Sequence, residues 1–352
     1  VISTESLTQI ANFAVTYKCD SRCKTCNIWK TPNPEKGQLS LQEIQGFLEL
    51  NYEYLQNIKS VQLTGGEAFL REDLGKIACL ISEELPKCAI WIPTNGFRPE
   101  VITDAVADIL DKDVTWLGVS VSVDGIGDTH DYMRGVDGSF DKCLETLTSL
   151  SHLRLEYPNL HLSIGMTVTP INYHQILDVY GLSKDFTFEF SLRPEHQSDF
   201  YYGNQQENSL KPNLDELWII FRILARDIRE RQGLRKSLTL IRYLKGTMEY
   251  IREPRNRTMK CTAGTHSIFL NPYGDVYPCI INNSKLGNIR TSSLREILSG
   301  PRAKAVRKEI SILSCPLCWV ECETYRDIMN DKTGLIETGL NCLLDSQNLG
   351  FR

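Results

Sequence analysis

Cys19, Cys23 and Cys26 stand at CxxxCxxC spacing within Tyr17-Lys-Cys-Asp-Ser-Arg-Cys-Lys-Thr-Cys-Asn27. Thiolates are soft ligands that select iron–sulfur clusters, zinc or copper. The apolar, β-rich run Phe13-Ala-Val-Thr-Tyr17 leads directly into them. They therefore sit on a loop leaving a strand, where side chains can converge on one point. A structural zinc site or an all-cysteine cluster needs four ligands. No fourth Cys or His lies nearby, and the next cysteine is Cys79. Three protein ligands leave one coordination position open, the arrangement of a reacting metal centre rather than a scaffold.

A second group of thiols lies near the C-terminal end. Cys261 is followed by Gly274 and Cys279, then by Cys315-Pro-Leu-Cys318-Trp-Val-Glu-Cys322, and finally by Cys342. Cysteines so spaced on a turn or helix converge on a metal, and a zinc ribbon is the competing explanation for this region. The chain has twelve cysteines. With no apolar N-terminal segment of signal type, they read as metal ligands of a cytosolic protein rather than disulfides. Cys79, Cys88 and Cys143 are scattered and read as small buried hydrophobes.

Other polar residues fall at the ends of predicted strands. In Thr64-Gly65-Gly66-Glu67 the paired glycines let the backbone approach a ligand closely, and the carboxylate can accept from an ammonium group. Pro93-Thr-Asn95-Gly96 ends the next strand and equally fits an ordinary turn. Ser120, Ser122 and Asp124 share one face by period-two alternation, in a strand otherwise apolar. Buried polar groups there need a ligand or partner. His130-Asp-Tyr-Met-Arg134 follows, and a planar guanidinium such as that of Arg134 suits a carboxylate. Thr167 ends the fifth strand; Arg193, Glu195 and His196 end the sixth. These are substrate-site candidates, with a structural salt bridge as the equal alternative.

The elements that must position these residues alternate. Strand-like runs over Phe13–Tyr17, Ser60–Thr64, Ala89–Pro93, Leu117–Val123, Leu162–Thr169 and Phe186–Leu192 are separated by helical patterns. Those patterns cover Leu41–Leu55, Asp73–Leu85, Glu100–Leu110, Phe140–Leu153 and Tyr173–Tyr180, the first opened by the capping box Ser40-Leu-Gln-Glu43. Six β-α repeats predict an α/β fold with a parallel sheet, closed or nearly closed by helices, whose active face lies at the strands' carboxyl ends. Gln197–Asn213 reads as a loop or lid, and Leu214–Arg231 and Leu234–Arg252 as amphipathic helices with core-facing stripes such as Leu217, Phe221 and Leu224. Glu253–Lys260 is the expected domain boundary. We therefore expect a core barrel over 1–213, a helical linker over 214–256 and a small Cys-rich domain over 257–352.

Composition narrows the class. Hydrophobic residues make up 41% and charged residues 24%, ordinary for a soluble globular protein of 352 residues. The net charge of −5 and the lack of a basic face argue against a nucleic-acid partner. No run of eighteen apolar residues occurs, so a cytoplasmic protein without a membrane span is expected.

Taken in order, these motifs resemble the radical S-adenosylmethionine (radical SAM) superfamily with a C-terminal SPASM/Twitch extension. The resemblance runs from the first strand to Cys342. It implies a partial (β/α)6 TIM-like barrel, and a 4Fe–4S cluster on Cys19, Cys23 and Cys26 whose open iron is chelated by SAM. Gly65, Gly66 and Glu67 would meet the SAM amino group, with Asn95 close to the cofactor. Ser122 would bind its ribose or carboxylate, Arg134 the carboxylate, and Ser120, Asp124 and Thr167 the surrounding site. One electron delivered to SAM would give a 5′-deoxyadenosyl radical that takes hydrogen from a substrate C–H bond. The electron would come from an external one-electron reductant of flavodoxin or ferredoxin type.

Two departures stand out. The family usually has an aromatic residue before the third cysteine, where this chain has Thr25; Trp29 or Tyr17 can compensate. A full SPASM domain carries seven cysteines with CxxCx5CxxxC in its second half, whereas this chain has six with CxxCxxxC. The favoured set is one auxiliary cluster on Cys261, Cys279, Cys315 and Cys318, with Cys322 or Cys342 as replacement ligands. Two three-cysteine clusters are the alternative.

The resemblance implies either a small-molecule substrate or a ribosomal peptide that is given thioether or C–C crosslinks or is epimerised. The first strand starts within a dozen residues, without the N-terminal leader-binding domain of many peptide-modifying relatives, which tilts the expectation toward small-molecule dehydrogenation or epimerisation. If the product is an epimer, a non-ligand cysteine must donate hydrogen, and Cys143, Cys322 and Cys342 are the candidates. A zinc-stabilised binding protein and a multi-cluster electron carrier are the rival classes; neither uses the glycine-glutamate motif or the Asp124–Arg134 segment.

Overall fold

The computed structural model describes residues 9–204, 212–254, 257, 259–345 and 349. Strands β1 (Ile10–Thr16), β2 (Ser60–Gly65), β3 (Ala89–Thr94), β4 (Leu117–Ser122), β5 (Leu160–Val168) and β6 (Glu189–Pro194) run parallel, each paired with its successor. Helices α1 (Leu41–Leu50), α2 (Tyr52–Leu55), α3 (Leu74–Glu84), α4 (Pro99–Leu110), α5 (Asp128–Arg134), α6 (Ser139–Glu156) and α7 (Ile176–Asp185) lie between them. Alternation along β3 buries Ile90, Ile92 and Thr94. The helices bury their apolar stripes against the sheet, as Ile102, Val106 and Ile109 do on α4.

The capping box at Ser40 forms as expected, with Glu43 N–H on the Ser40 hydroxyl at 3.2 Å and Ser40 N–H on the Glu43 carboxylate at 2.8 Å. The helix expected over Leu41–Leu55 breaks at Asn51. That side chain donates to the Phe47 carbonyl and accepts from Leu294 N–H at 2.7 Å, so a long-range partner overrides the local pattern.

The long helices α8 (Leu214–Gln232) and α9 (Leu234–Arg252) follow. The C-terminal segment then forms β7 (Ser267–Leu270), β8 (Asp275–Tyr277) and β9 (Gly287–Asn288), with α10 (Leu294–Ser299), α11 (Pro301–Ser311), α12 (Glu321–Asn330) and α13 (Lys332–Leu344). Strand β7 pairs in parallel with β1, so β1 meets β7 where closure would have placed β6. The six-stranded arc is an open partial barrel, and the Cys-rich segment continues its sheet through β7, β8 and β9. The divisions at 214 and 257 remain a proposal about sequence modules; physically the sheet runs across them. The stretches Gln197–Asn213 and Glu253–Lys260 fall partly outside the described residues. Among the described residues no helix is long and apolar enough to cross a membrane.

Candidate active site

The three-cysteine loop leaves the carboxyl end of β1 and is held from four sides. Arg22 N–H donates to the Arg134 carbonyl at 2.8 Å and Lys24 N–H to the Met133 carbonyl at 2.9 Å. The last carbonyls of α5, which have no partner within the helix, are thus satisfied by the cysteine loop. Asn27 N–H reaches the Tyr202 carbonyl at 2.7 Å, and the Asn95 amide donates to Asp20 at 2.7 Å. The fourth clamp is the glycine pair: Gly66 N–H bonds the Thr16 carbonyl and Glu67 N–H the Lys18 carbonyl, both at 2.8 Å.

That last contact explains the glycines. Gly65 has φ +135°, and a Cβ there would lie 1.9 Å from the Thr16 carbonyl oxygen; one on Gly66 would lie 2.2 Å from that of Lys18. Both obstacles are backbone and cannot swing aside. Gly66→Ala is therefore expected to cost about 1–3 kcal/mol by forced backbone displacement. It should also loosen the cysteine loop, seen as a lower urea midpoint and faster iron loss to a chelator. An unchanged midpoint with full iron retention would refute the close-approach explanation.

One cavity gathers Cys19, Cys23, Cys26, Gly65, Gly66, Glu67, Asn95, Ser122, Asp124, Arg134, Thr167, Arg193 and His196. Burial pushes the Cys19 and Cys26 thiols up to about 12. Burial thus disfavours thiolates there unless a metal charge compensates them. Two residues lining the same cavity carry buried donors, Arg134 Nε and Trp29 Nε1, with no hydrogen-bond partner among the described residues. Soft thiols beside unmatched donors fit an iron–sulfur cluster with an acceptor-rich ligand.

Glu67 is 2% exposed, and burial pushes its carboxyl up to about 7. It already accepts from Thr94 Oγ1 at 3.0 Å, Phe69 N–H at 3.2 Å and Asn95 N–H at 2.7 Å, which leaves room for one further donor. Asp124 accepts from Thr167 N–H at 2.7 Å and pairs with Arg134 Nη2 at 2.9 Å. The other arm of that guanidinium, Nη1, lies 3.7 Å from Cys23 Sγ. Arg134 thus faces both a carboxylate and a candidate cluster ligand. Arg193 Nε donates to Thr167 Oγ1 at 3.2 Å, and its Nη1 stands 3.9 Å from Glu321, a residue of the Cys-rich segment.

Other sequence candidates lie elsewhere. Ser120 shares the inward face of β4 but sits a layer below the cavity, where a Gly165 Cβ would meet its hydroxyl at 3.3 Å. Cys143 is fully buried behind the cavity wall, its thiol 3.0 Å from the Asn95 carbonyl and 3.6 Å from His130 Nε2. Burial and the neighbouring Arg134 hold the His130 imidazole down at about 4, so it is neutral there. Glu195 lines an adjoining cleft of about 640 Å³ rather than the cysteine cavity, and His196 and Pro194 line both. Trp29 and Thr25 line the cysteine cavity; Tyr17 packs beside it, edge-on to Tyr201. Sequence reasoning missed Tyr201, Tyr202 and Glu321, which line it too. The paired tyrosines in an otherwise polar loop were the signal available.

The C-terminal thiols divide. Cys261, Cys279, Cys315 and Cys318 line one small cavity with Ile281, Ile310, Arg257 and Glu323. Burial raises all four thiols. Cys322 instead lines the cavity of the first three cysteines. Cys342 lies buried in α13 with its thiol 3.5 Å from the Leu349 carbonyl, on neither cavity. Among the described residues no three His, Cys, Asp or Glu side chains stand close enough to share one metal ion. A four-iron cluster takes one cysteine per iron and needs them further apart.

Comparison with known proteins agrees with this geometry. Residues 13–182 match the model of the radical SAM superfamily, and residues 261–323 that of SPASM, an iron–sulfur cluster-binding domain. The chain belongs to the radical SAM superfamily and carries a SPASM domain. It is 24% identical over 296 residues to the antilisterial bacteriocin subtilosin biosynthesis protein AlbA of Bacillus subtilis, covering 83% of this chain but only 59% of that protein. It is 25% identical to an AdoMet-dependent heme synthase of Methanosarcina barkeri, over 84% of each chain. Among solved structures, anSMEcpe with bound AdoMet superposes with a TM-score of 0.63 at 16% identity, covering 95% of this chain and 99% of that one. Streptococcus suis SuiB bound to S-adenosylmethionine does so at 0.62 and 17%, covering 94% and 76%. The cofactors of this class are a 4Fe–4S cluster with SAM in the core and auxiliary iron–sulfur in the SPASM domain.

Proposed function

We propose that this radical SAM enzyme inverts a carbon centre in a peptide, with Cys322 returning the hydrogen. The observation that carries the reading is the division of thiols: Cys322 faces the radical cavity, while four others surround a separate one. Cys19, Cys23 and Cys26 would hold the SAM-binding cluster, and Cys261, Cys279, Cys315 and Cys318 one auxiliary cluster. When bound, SAM and its cluster supply a carbon-centred radical able to take hydrogen from an unactivated C–H bond.

The chain's own residues do the rest. Asp124, Thr167 and Arg134 shape the polar wall, and Glu67 offers its remaining acceptor site to an ammonium group. The substrate carbon loses a hydrogen atom on one face and receives one from the Cys322 S–H on the other. The sulfur, left one electron short, is restored by one electron from the reductant and one proton. Burial favours the protonated thiol that hydrogen donation requires. A peptide fits because the radical cavity continues past Pro194 and His196 into the open cleft, whose walls include Pro170, Tyr250, Ile251 and Leu317.

The test uses reconstituted enzyme, SAM, dithionite and a synthetic peptide library in D2O. Inverted residues should gain one deuterium. Cys322→Ala should still cleave SAM yet lose epimer formation by at least about 100-fold, the scale of losing a group required in the transition state. Products lighter by two hydrogens, or an active C322A enzyme, would reject the reading.

A further inference from the structure

One loop, residues 195–204, lies between the two groups of cysteines. Asn204 is 2% exposed, and its amide nitrogen donates twice, to the Thr25 carbonyl at 2.8 Å and the His196 carbonyl at 2.9 Å. Its amide oxygen accepts from Ser198 N–H at 3.0 Å, which fixes its orientation. Thr25 immediately precedes Cys26. On the far side, His196 Nε2 accepts from Trp319 N–H at 3.0 Å, and Trp319 immediately follows Cys318. Three hydrogen bonds and two side chains thus span from the neighbour of one cysteine to the neighbour of the other.

The bridge is rigid. The His196 ring stacks on Tyr250 with centroids 5.1 Å apart. Trp319 Nε1 donates to the Tyr243 carbonyl at 3.0 Å, and its ring packs onto α9 at Gly246, where a Cβ would come within 1.8 Å. Burial and Arg193 hold the imidazole down at about 3, so Nε2 stays an acceptor while the other nitrogen keeps its proton toward the Pro194 backbone.

We propose that Asn204 and His196 form the bridge coupling the two iron–sulfur centres, fixing their spacing and carrying an electron between them. The transfer moves one electron and no proton: one centre is oxidised by one equivalent and the other reduced by one. Neither bridging side chain titrates in the working range, so the path stays neutral throughout. The bridge rests on the ligand assignment proposed above, and iron content tests that assignment separately.

The experiment takes anaerobically reconstituted full-length holoenzyme without substrate. A photoexcited deazaflavin injects substoichiometric electrons, and freeze-quench EPR follows their redistribution between the centres. His196→Leu and Asn204→Ala should each slow redistribution several-fold, because a through-space gap replaces a hydrogen-bonded step of the path. His196→Gln, which keeps an acceptor, should restore most of the rate. If H196L loses auxiliary iron, N204A, whose side chain touches no auxiliary cysteine, carries the same expectation. Fewer than two centres in the native protein would fail the ligand assignment. Two intact centres with unchanged redistribution in N204A, or an H196Q as slow as H196L, would overturn the bridge.

Discussion

Replacing Cys19, Cys23 and Cys26 together by alanine should leave a folded protein with about four of about eight irons and no SAM cleavage, as cubane stoichiometry requires. The loop carrying these residues is held by backbone hydrogen bonds to Arg134, Met133 and Tyr202 that the substitution leaves intact. The three residues are half-buried, and each substitution removes only one sulfur atom, so little packing is lost. The four cysteines proposed to hold the auxiliary cluster line a separate cavity and should keep their metal. Iron and sulfide analysis with EPR, with and without SAM, checks this. A mutant that binds no iron would remove the auxiliary assignment, and native protein binding zinc alone would remove both.

Arg134→Leu is expected to destabilise the protein by about 3–5 kcal/mol, because it strands a buried charge. Asp124 is 2% exposed and its Oδ2 has Arg134 as its charged partner, while Thr167 N–H meets only Oδ1. The double variant Asp124→Asn/Arg134→Leu should recover much of the loss, since no buried charge is then left unpaired. Urea unfolding of the cluster-free protein measures both, free of metal linkage. SAM affinity of the reconstituted single mutant should fall as well, because the Nη1 facing Cys23 disappears. Equal stability of the single and double variants would show that loss of the Asp124–Arg134 ion pair is not what destabilises the single variant.

The legibility of the chain followed the range of the forces involved. The six core strands, the capping box at Ser40 and the span of α9 were readable because period-two and period-3.6 patterns and caps are local. The short α5 was not, since seven residues carry too little periodicity. It forms a receptor for the cysteine loop, with its terminal carbonyls meeting Arg22 and Lys24. Strands β7 to β9 were equally silent: two to four residues each, they are stable only as an extension of a sheet begun elsewhere.

What could be known before folding was chemical. Three thiols at CxxxCxxC spacing, a glycine-glutamate turn after the second strand and a Cys-rich tail pointed to soft-metal chemistry, because ligand type and short spacing are properties of neighbouring residues, and the resemblance they carry implied the cofactors. What needed the folded chain was which thiol faces which cavity. Cys318 and Cys322 are four residues apart, yet one lines the cavity of Cys261, Cys279 and Cys315 and the other that of Cys19, Cys23 and Cys26. Likewise nothing in the order of residues joins Thr25 to Trp319 through Asn204 and His196. Spacing along a chain says which groups can converge; only packing, which excludes all but one arrangement of buried donors and acceptors, says which of them do.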